Sequence, residues 1–537
     1  MAGTNANQRS LGSIALIVAV ATLLSKVFGL LRQMAIAAAF GVGVVFDAYN
    51  YAYVIPGFLL ILLGGINGPF HSAIVSVLAK REGQSAAVLI ETINTIVGLI
   101  LLAVTALLFI FAVPLTDLVA PGLSSTAKGL EIRAIAIGQL QIMAPMALFA
   151  GLIGIGFGCL NAVNQFWLPS VSPLLSSLTV LIGLGGLALI LGKGITAPEN
   201  AYLGGAVLAW STLAGAVCQW LVQIPAQLRA GMGGLRLRFD LKQEGVAEIL
   251  QIMAPATFSS GMVQINVFAI LFFASYIPQA AAALGYASLL VQTPLGVLSN
   301  VILVPFFPLF SRLAAPDRWE ELKIRVRQCL VYTGISMLPL GAIMAVLAQP
   351  TVQVIYERYA FDSEATAITA SMLVVYSLGM FVYLGRDVLV RVFYALGDGI
   401  TPFRISVINI FLNILFAYLF VQWIGAAGLV LATVAVNVIS MVALLIGLDR
   451  TLHGIPWLNW SLPIAGLICT SAIAGVASWG MMEILLPYLR GGFLQKVLLL
   501  LTAGGVGMAV FIALTALLKL PELHELWLRI SQRFPKT

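Results

Sequence analysis

In this chain of 537 residues, the most informative chemistry comes from two basic residues in the first long apolar segment. Lys26 and Arg32 lie inside an apolar run from Leu11 to Phe40, and no acidic residue is adjacent to either. A cation near the centre of a bilayer costs at least about 2.5–3.5 kcal/mol, so such a residue usually faces a bundle interior or a wet cavity. The two cations are therefore candidates for binding an anion.

A structural role for the same two residues remains open. Lys26 can extend its ammonium group to the cytoplasmic interface, and Arg32 can donate hydrogen bonds to carbonyl groups of neighbouring helices. Six residues separate them, which corresponds to about 240° around a continuous helix and about 9 Å along its axis. Gly29 lies between them and permits a kink that would change this angle.

Further charged residues lie in or beside apolar segments. Asp47 follows the first of these segments, where it suits a helix N-cap, a contact between lobes or the binding of an ion. Asp387 and Arg391 are four residues apart on a predicted helix, which predicts an ion pair between them. Arg386 then points in a different direction and stays available for another partner.

The composition places these residues in a membrane protein. The chain is 61% hydrophobic and 9% charged, whereas a soluble domain is about 25% charged. Apolar segments of membrane-spanning length recur throughout, which predicts an all-α polytopic protein with about 14 transmembrane helices. The four cysteines and three histidines are dispersed, which argues against a metal centre. No nucleotide-binding or hydrolase motif occurs, so we do not expect an enzyme.

The distribution of basic residues predicts the orientation. With both termini in the cytoplasm, 18 of the 28 Lys and Arg residues lie on the cytoplasmic side, 6 lie outside and 4 lie within spans. Such an excess on the cytoplasmic side is the usual determinant of topology. It also accounts for the net charge of +7, so nucleic acid is not an expected partner.

A weak internal repeat predicts two lobes. Leu203–Ala209 resembles Ala426–Ala432 at an offset of 223 residues, and both segments open an apolar span. Two pseudo-symmetric six-helix lobes in the same orientation would give a parallel repeat of the kind found in rocking transporters. The predicted regions are an N-terminal lobe (1–228), a basic cytoplasmic linker (229–244), a C-terminal lobe (245–450), and two further helices with a cytoplasmic tail (451–537).

Two cytoplasmic segments have a distinct pattern. The linker mixes glycine with basic and apolar residues, which suits a segment lying on the membrane surface. Residues 317–327 carry charges of both signs at helical spacing, which predicts an amphipathic helix on the cytoplasmic side.

Five segments of the chain form recognisable motifs. They are Ser25-Lys-Val-Phe-Gly-Leu-Leu-Arg32, Phe46-Asp-Ala-Tyr49, Asn164-Gln-Phe-Trp-Leu-Pro-Ser-Val-Ser-Pro173, Val354-Ile-Tyr-Glu-Arg-Tyr-Ala-Phe-Asp362 and Arg391-Val-Phe-Tyr-Ala-Leu-Gly-Asp-Gly-Ile-Thr-Pro402. These motifs resemble those of the MurJ (MviN) lipid II flippases of the multidrug/oligosaccharidyl-lipid/polysaccharide exporter superfamily. The resemblance extends from about residue 11 to residue 450 and includes the number of spans.

This resemblance implies two lobes in a V around a cationic cavity that takes the pyrophosphate of a polyprenyl-linked peptidoglycan precursor. Lys26 and Arg32 would contact the pyrophosphate, because arginine offers forked donors to phosphate. Arg386 and Arg391 would supplement them nearer the cytoplasmic mouth, and Asp47 completes the set of candidate substrate-binding residues.

The chain departs from the resembled family at several cavity positions. Its first-helix pair is a lysine and an arginine rather than two arginines, and the acidic residue that follows is replaced by Gln33. Leu62, Asn67 and Leu289 stand where the family has arginine, glutamate and arginine, respectively.

A sodium site found in some members of the family is also altered in this chain. Ile270 and Ala417 align with the carboxylates that bind sodium in those members. Asn413 and Thr433 keep oxygen atoms and are candidates for a remnant sodium site.

The sequence therefore predicts a lipid II flippase that works by alternating access in the bacterial inner membrane. We expect no cofactor, and a sodium or proton gradient or the membrane potential would drive transport. The expected partners are lipid II, membrane lipids and enzymes of cell-wall synthesis. Two alternatives remain: an exporter of another amphiphile, such as a different lipid-linked glycan or a drug, and a non-transporting scaffold for cell-wall synthesis.

Overall fold

The computed structural model describes residues 11–65, 68–78, 84–234, 236–240, 242–243, 245–262, 264–489, 491–518 and 521–522. Within these residues the regular structure is helical and contains no strand, which confirms the prediction of an all-α protein. The chain forms two compact units, which comprise residues 1–282 and 283–537. The lobe boundaries predicted from the repeat remain predictions.

The first unit contains thirteen α-helices among its described residues. They are α1 (Leu11–Phe40), α2 (Val44–Gly64), α3 (Pro69–Leu78), α4 (Gln84–Ile110), α5 (Ala112–Val119), α6 (Ala127–Met143), α7 (Met146–Ala162), α8 (Trp167–Val171), α9 (Pro173–Leu191), α10 (Ala201–Leu221), α11 (Ile224–Arg229), α12 (Val246–Met262) and α13 (Ile265–Ala274).

The next helix begins in the last residues of the first unit, and the others lie in the second unit. They are α14 (Ala280–Arg312), α15 (Trp319–Val346), α16 (Ala348–Ile355), α17 (Ser363–Leu378), α18 (Met380–Ala395), α19 (Ile400–Ile424), α20 (Ala426–Thr451), α21 (Trp457–Leu485) and α22 (Phe493–Leu517).

The number of membrane-length helices agrees with the prediction of about 14 spans. Eleven helical segments in the described residues are long and apolar enough to cross a bilayer, and two bent pairs bring the number to 13. The remaining predicted span, 245–275, falls on α12 and α13, which are 17 and 10 residues long. A fully apolar helix needs about 20 residues to cross the hydrocarbon core, so neither of these two helices spans it alone.

Each unit contains one bent helix pair. Helices α6 and α7 meet at 41° around Pro145, which has no N–H group to donate to the preceding turn. Helices α17 and α18 meet at 43° around Gly379, where an added Cβ would lie 2.7 Å from Cγ2 of Val434. The pairs correspond to the fourth and tenth predicted spans, which is the spacing that a six-helix repeat requires.

The amphipathic helix predicted at residues 317–327 is not a separate element. Helix α15 runs without a break from Trp319 to Val346, so the charged segment forms its first turns. Pairs between Lys323 and Glu320 (2.6 Å) and between Arg325 and Glu321 (4.0 Å) lie along this part of the helix. The sequence pattern identified the charged face correctly, but hydropathy does not mark the point where a helix continues into the membrane.

The core of the first unit lies where α2, α3, α4, α7 and α12 meet. It includes Leu62 and Leu63 of α2, Ile74 of α3, Ile90 of α4 and Cys159 of α7. In the second unit, α21 and α22 pack against α15 through Val331, Ala474 and Phe511. The two helices that follow the predicted repeat are thus tied to α15 rather than isolated.

Glycine permits close contact between α2 and α7. A Cβ on Gly154 would overlap the carbonyl oxygen of Leu63 and would also lie 3.3 Å from Cβ of Phe70. Because the first obstacle is backbone, no side-chain rotation can relieve the overlap. At Gly185 on α9, by contrast, an added Cβ would have no atom within 4 Å, so alanine fits without overlap.

We predict that Gly154→Ala destabilises the protein by about 1–3 kcal/mol, the usual cost of overpacking. Gly185→Ala is the matched control and should be neutral or slightly stabilising, since alanine favours helix over glycine. Titration of the purified protein with sodium dodecyl sulfate, followed by circular dichroism, measures both effects. Equal midpoints for the two variants would show that α2 and α7 are not held this closely.

Candidate anion-binding site

Helix α1 presents Lys26 and Arg32 in different directions. The helix continues through Gly29 from Leu11 to Phe40, so the regular helical angle of about 240° separates the two cations. Both side chains are partly exposed. No described carboxylate lies within ion-pair distance of either one, and Nε of Arg32 is buried without a hydrogen-bond partner. Arg32 therefore keeps unused donors inside an apolar helix.

Two tyrosines of α2 lie within electrostatic range of Arg32. Its guanidinium group interacts electrostatically with Tyr49 and Tyr53. The two rings stack with their centroids 5.2 Å apart, and the Tyr49 hydroxyl lies 3.1 Å from Oγ1 of Thr212 on α10. The sequence analysis missed this tyrosine pair. The i, i+4 spacing, which places both rings on one face of α2, was the available signal.

Asp47 holds the N-terminus of another helix. Its Oδ1 accepts a hydrogen bond from the N–H of Ala282 (2.8 Å), and its Oδ2 accepts one from the N–H of Gln279 (3.1 Å). The side chain is 2% exposed. A carboxylate at a helix N-terminus satisfies free amide groups and interacts favourably with the helix dipole. Asp47 thus acts as a cap supplied by α2 to α14, and its predicted contact with substrate remains a prediction.

Arg386 lies in a polar environment in the second unit. Its Nε donates to Oγ of Ser440 (2.9 Å) and its Nη2 donates to Oγ of Ser406 (3.3 Å), which joins α18 to α20 and α19. Its Nη1 is 3.8 Å from Oδ1 of Asp387. No ion pair within 4.0 Å joins Asp387 to Arg391, although the two side chains still interact electrostatically. The predicted close pair is therefore wrong, and Arg386 is the cation nearer to this carboxylate.

Arg391 has an aromatic neighbour instead. Its guanidinium carbon lies 6.0 Å from the ring centroid of Phe307 on α14, within the range of a cation–π interaction. No ion pair involves Arg391 among the residues that the structure describes. Arg391 therefore keeps most of its hydrogen-bonding capacity, whereas Arg386 is already engaged by two serines and an aspartate.

The residues of the remnant sodium site do not fit a charged site. Asn413 is 3% exposed and its Oδ1 has no partner, while the Thr433 hydroxyl donates to the carbonyl oxygen of Leu429 on its own helix (3.3 Å). Ala417 is buried on the same helix as Asn413 and offers no ligand oxygen from its side chain. Sodium binds hard oxygen ligands, and this set lacks the carboxylate that would balance the charge.

The leucines at cavity positions have different environments. Leu62 is 7% exposed and packs in the core of the first unit. Leu289 lies on α14 and is partly exposed. Asn67 lies outside the described residues. Because leucine has no polar side-chain atom, neither position needs a hydrogen-bond partner.

We predict that Asp47→Ala increases hydrogen exchange at the amides of Gln279 and Ala282 by about tenfold or more, since hydrogen bonds to charged groups contribute about 1.5–3 kcal/mol. Hydrogen–deuterium exchange with mass spectrometry of the peptide that spans these residues measures the change.

Asp362→Ala is a matched control, because Oδ1 of Asp362 accepts from the N–H of Ala365 (2.8 Å) at the start of α17. It should accelerate exchange at Ala365 and leave Ala282 unchanged. Unaltered exchange at Ala282 in the Asp47 variant would contradict the capping role.

Comparison with known proteins identifies the family. A family profile described as "Lipid II flippase MurJ" matches residues 36–499. A "Probable lipid II flippase MurJ" from Synechocystis sp. is 54% identical over 538 residues and is covered completely, as is this chain. The "Lipid II flippase MurJ" from Burkholderia cenocepacia is 27% identical over 85% of this chain and 88% of its own length.

Solved structures show the same fold. A structure titled "Lipid II flippase MurJ, inward closed conformation" matches with a TM-score of 0.75 and 22% identity over 94% of this chain and 98% of that chain. An inward-facing multidrug resistance MATE transporter of the MOP superfamily matches with a TM-score of 0.57 and 16% identity, over 85% of this chain and all of its own. With the profile and the 54% identical relative, these results show that the chain belongs to the lipid II flippase MurJ family of membrane transporters.

Proposed function

We propose that this chain carries lipid II from the cytoplasmic to the outer leaflet of the bacterial inner membrane, with Arg32 as the main contact for the pyrophosphate. Membership of the family supports the substrate class. The buried and unpartnered Nε of Arg32 is the observation that carries the assignment of the residue. A pyrophosphate brought into an apolar environment needs hydrogen-bonded cations, and a guanidinium group supplies paired donors.

Three other half-buried arginines support this choice by contrast. Arg133 binds Asp117 through two hydrogen bonds (2.5 and 2.8 Å), which lower the pKa of that carboxyl group. Arg238 pairs with Glu91, and Arg327 pairs with Glu522. A cation already neutralised by a carboxylate has little affinity left for an anionic substrate. Arg32 has no such carboxylate in the described residues.

Lys26 and Arg391 are proposed as secondary contacts. Lys26 lies nearly two turns before Arg32 on α1 and supplies a compact point charge. Arg391 offers donors that its aromatic contact leaves free. Arg386 is a weaker candidate, because its donors already serve two serines.

The proposed driving force does not use a sodium site at Asn413 and Thr433, because Ala417 provides no carboxylate beside them. The proton gradient and the membrane potential then remain as candidates. A potential that is negative inside favours outward movement of an anion by about 2.3 kcal/mol per charge per 100 mV. The same proposal includes alternating access by rocking of the two lobes and a cytoplasmic location of both termini. It also includes lipid II and cell-wall enzymes as partners, and transport without catalysis.

We predict that Arg32→Ala lowers flipping by about tenfold or more, because hydrogen bonds to charged groups contribute about 1.5–3 kcal/mol. Arg32→Lys should retain part of the activity, since it keeps the charge and loses the forked donors. Complementation of a bacterial strain depleted of its own lipid II flippase measures the effect.

The control for this experiment is Arg318→Ala, which removes an exposed arginine at the start of α15. It should support growth like the unmodified chain. Membrane levels and size-exclusion profiles of all variants separate loss of folding from loss of function. Normal growth with Arg32→Ala would refute the role assigned to this residue.

The orientation of the chain in the membrane can be tested by labelling introduced cysteines. We predict that Lys193→Cys reacts with a membrane-impermeant maleimide in intact spheroplasts, whereas Arg318→Cys reacts only after permeabilisation. Both positions are exposed, and two of the native cysteines, Cys159 and Cys329, are buried. The unmodified chain gives the background from native thiols. The reverse labelling pattern would place both termini outside.

A further inference from the structure

The basic linker is fastened to α4 by specific contacts. The N–H of Gly234 donates to Oε1 of Glu91 (2.9 Å), and Nε of Arg238 lies 2.5 Å from Oε2 of the same carboxylate. The N–H of Arg238 donates to Oγ1 of Thr95 (3.0 Å). Gly233 approaches α4 so closely that an added Cβ would lie 2.8 Å from the carbonyl oxygen of Ala87. Gly233, Gly234 and Arg238 therefore all lie against α4.

The linker closes one side of a crevice in the first unit. The crevice has a volume of about 260 Å³. Leu99 and Leu102 of α4, Leu148 and Leu152 of α7, and Trp220 of α10 form its apolar lining. Since a water molecule occupies about 30 Å³ in the liquid, the space accommodates roughly eight groups of that size. A section of a hydrocarbon chain fits this volume and lining.

The other end of the crevice is polar. Asn94, Gln227 and Arg236 line it together with the backbone of Gly233 and Gly234. Along α4, Asn94 precedes Leu99 and Leu102 by one to two turns, so polar and apolar parts follow each other along one direction. Crevices with this order suit a molecule that has a polar head and an apolar tail.

The charge at the polar end favours an anion. Glu91 is the carboxylate in contact there, and Arg238 already pairs with it. Arg236 is exposed and forms no ion pair within the described residues, so one positive charge is left over at the rim. Between Arg229 and Lys242 the chain has four basic residues and one acidic residue. The neighbouring Leu237 is 75% exposed, as expected for a segment at the edge of the bilayer.

We propose that this crevice binds one anionic glycerophospholipid from the surrounding bilayer. Its phosphate is contacted by Arg236, and one acyl chain lies along Leu99, Leu102, Leu148 and Leu152. The bound lipid fills the space between α4, α7 and the linker, and so holds the linker in place. This site is separate from the anion site at Arg32 and does not depend on the transported substrate.

Native mass spectrometry of the purified full chain tests this inference, with 1-palmitoyl-2-oleoyl-phosphatidylglycerol as the probe and the corresponding phosphatidylcholine for comparison. We expect one phosphatidylglycerol molecule to bind with higher affinity than phosphatidylcholine. Arg236→Gln should weaken its binding about fivefold, the effect of one arginine near an anionic surface. Arg229→Gln is the matched control, because Arg229 is exposed on the same segment and does not line the crevice.

A second variant tests the apolar lining of the crevice. Gly98→Leu places a side chain in the crevice, since the nearest atom to an added Cβ is Cδ1 of Leu148 at 3.9 Å. It should weaken phosphatidylglycerol binding while Arg236 is intact. Leu99→Ser changes the same lining and replaces Gly98→Leu in the experiment if that variant does not fold. Thermal unfolding shows whether each variant is folded.

Three results would overturn the proposal. Equal losses in Arg229→Gln and Arg236→Gln would indicate a diffuse attraction to the linker. Unchanged binding in both Gly98→Leu and Leu99→Ser would show that no acyl chain enters. Displacement of the phospholipid by equimolar undecaprenyl pyrophosphate would assign the crevice to a polyprenyl lipid.

Discussion

Charged groups in this chain have to be reconciled with a hydrocarbon environment, and the fold follows from how each one is satisfied. Glu91 with Arg238 and Asp117 with Arg133 form close pairs in the first unit, and Glu357 lies 3.2 Å from Lys496 in the second. Such pairs remove the cost of an isolated buried charge, and each fastens two segments together. Arg32 differs from these groups because it interacts electrostatically with Tyr49 and Tyr53 and has no carboxylate partner among the described residues. In the proposed function its charge serves the substrate.

The same constraint governs the ends of helices. Free N–H groups at a helix start are costly away from water, and at two helices of this chain a carboxylate accepts hydrogen bonds from them. Helix α17 uses Asp362, the residue that directly precedes it. Helix α14 is preceded by Gln279, which has a φ of 65°, and takes its acceptor from Asp47 on α2. The acidic residue of the Phe46-Asp-Ala-Tyr49 motif thus caps the first turn of α14, within the first unit.

Sequence reasoning reached the helical fold, the approximate number of spans and the unpaired Arg32, because these depend on hydropathy and on the absence of nearby acidic residues. It could not locate contacts that depend on tertiary packing. Helical spacing favoured a pair between Asp387 and Arg391, but the structure places Arg386 against the carboxylate and Arg391 against Phe307. Asp47 was recognised as a cap or contact, yet its partner lies 235 residues away in the sequence. The crevice beside Arg236 depends on the path of the linker, which no local pattern specifies.

The loss of cations from the cavity positions has a consequence for transport. Leu62 packs among apolar side chains of α2, α3, α4 and α7, so this position contributes to the core and cannot contribute to binding an anion. In the proposed function, the attraction for a pyrophosphate is then concentrated on α1. A carrier has to release its substrate as well as bind it, and binding that is favourable but weak allows both steps, as it does in ion channels. In the proposed function, a single forked donor with a lysine displaced around the helix meets this requirement. Fewer cations on α2 and α14 are then compatible with transport, provided that Arg32 retains its free donors.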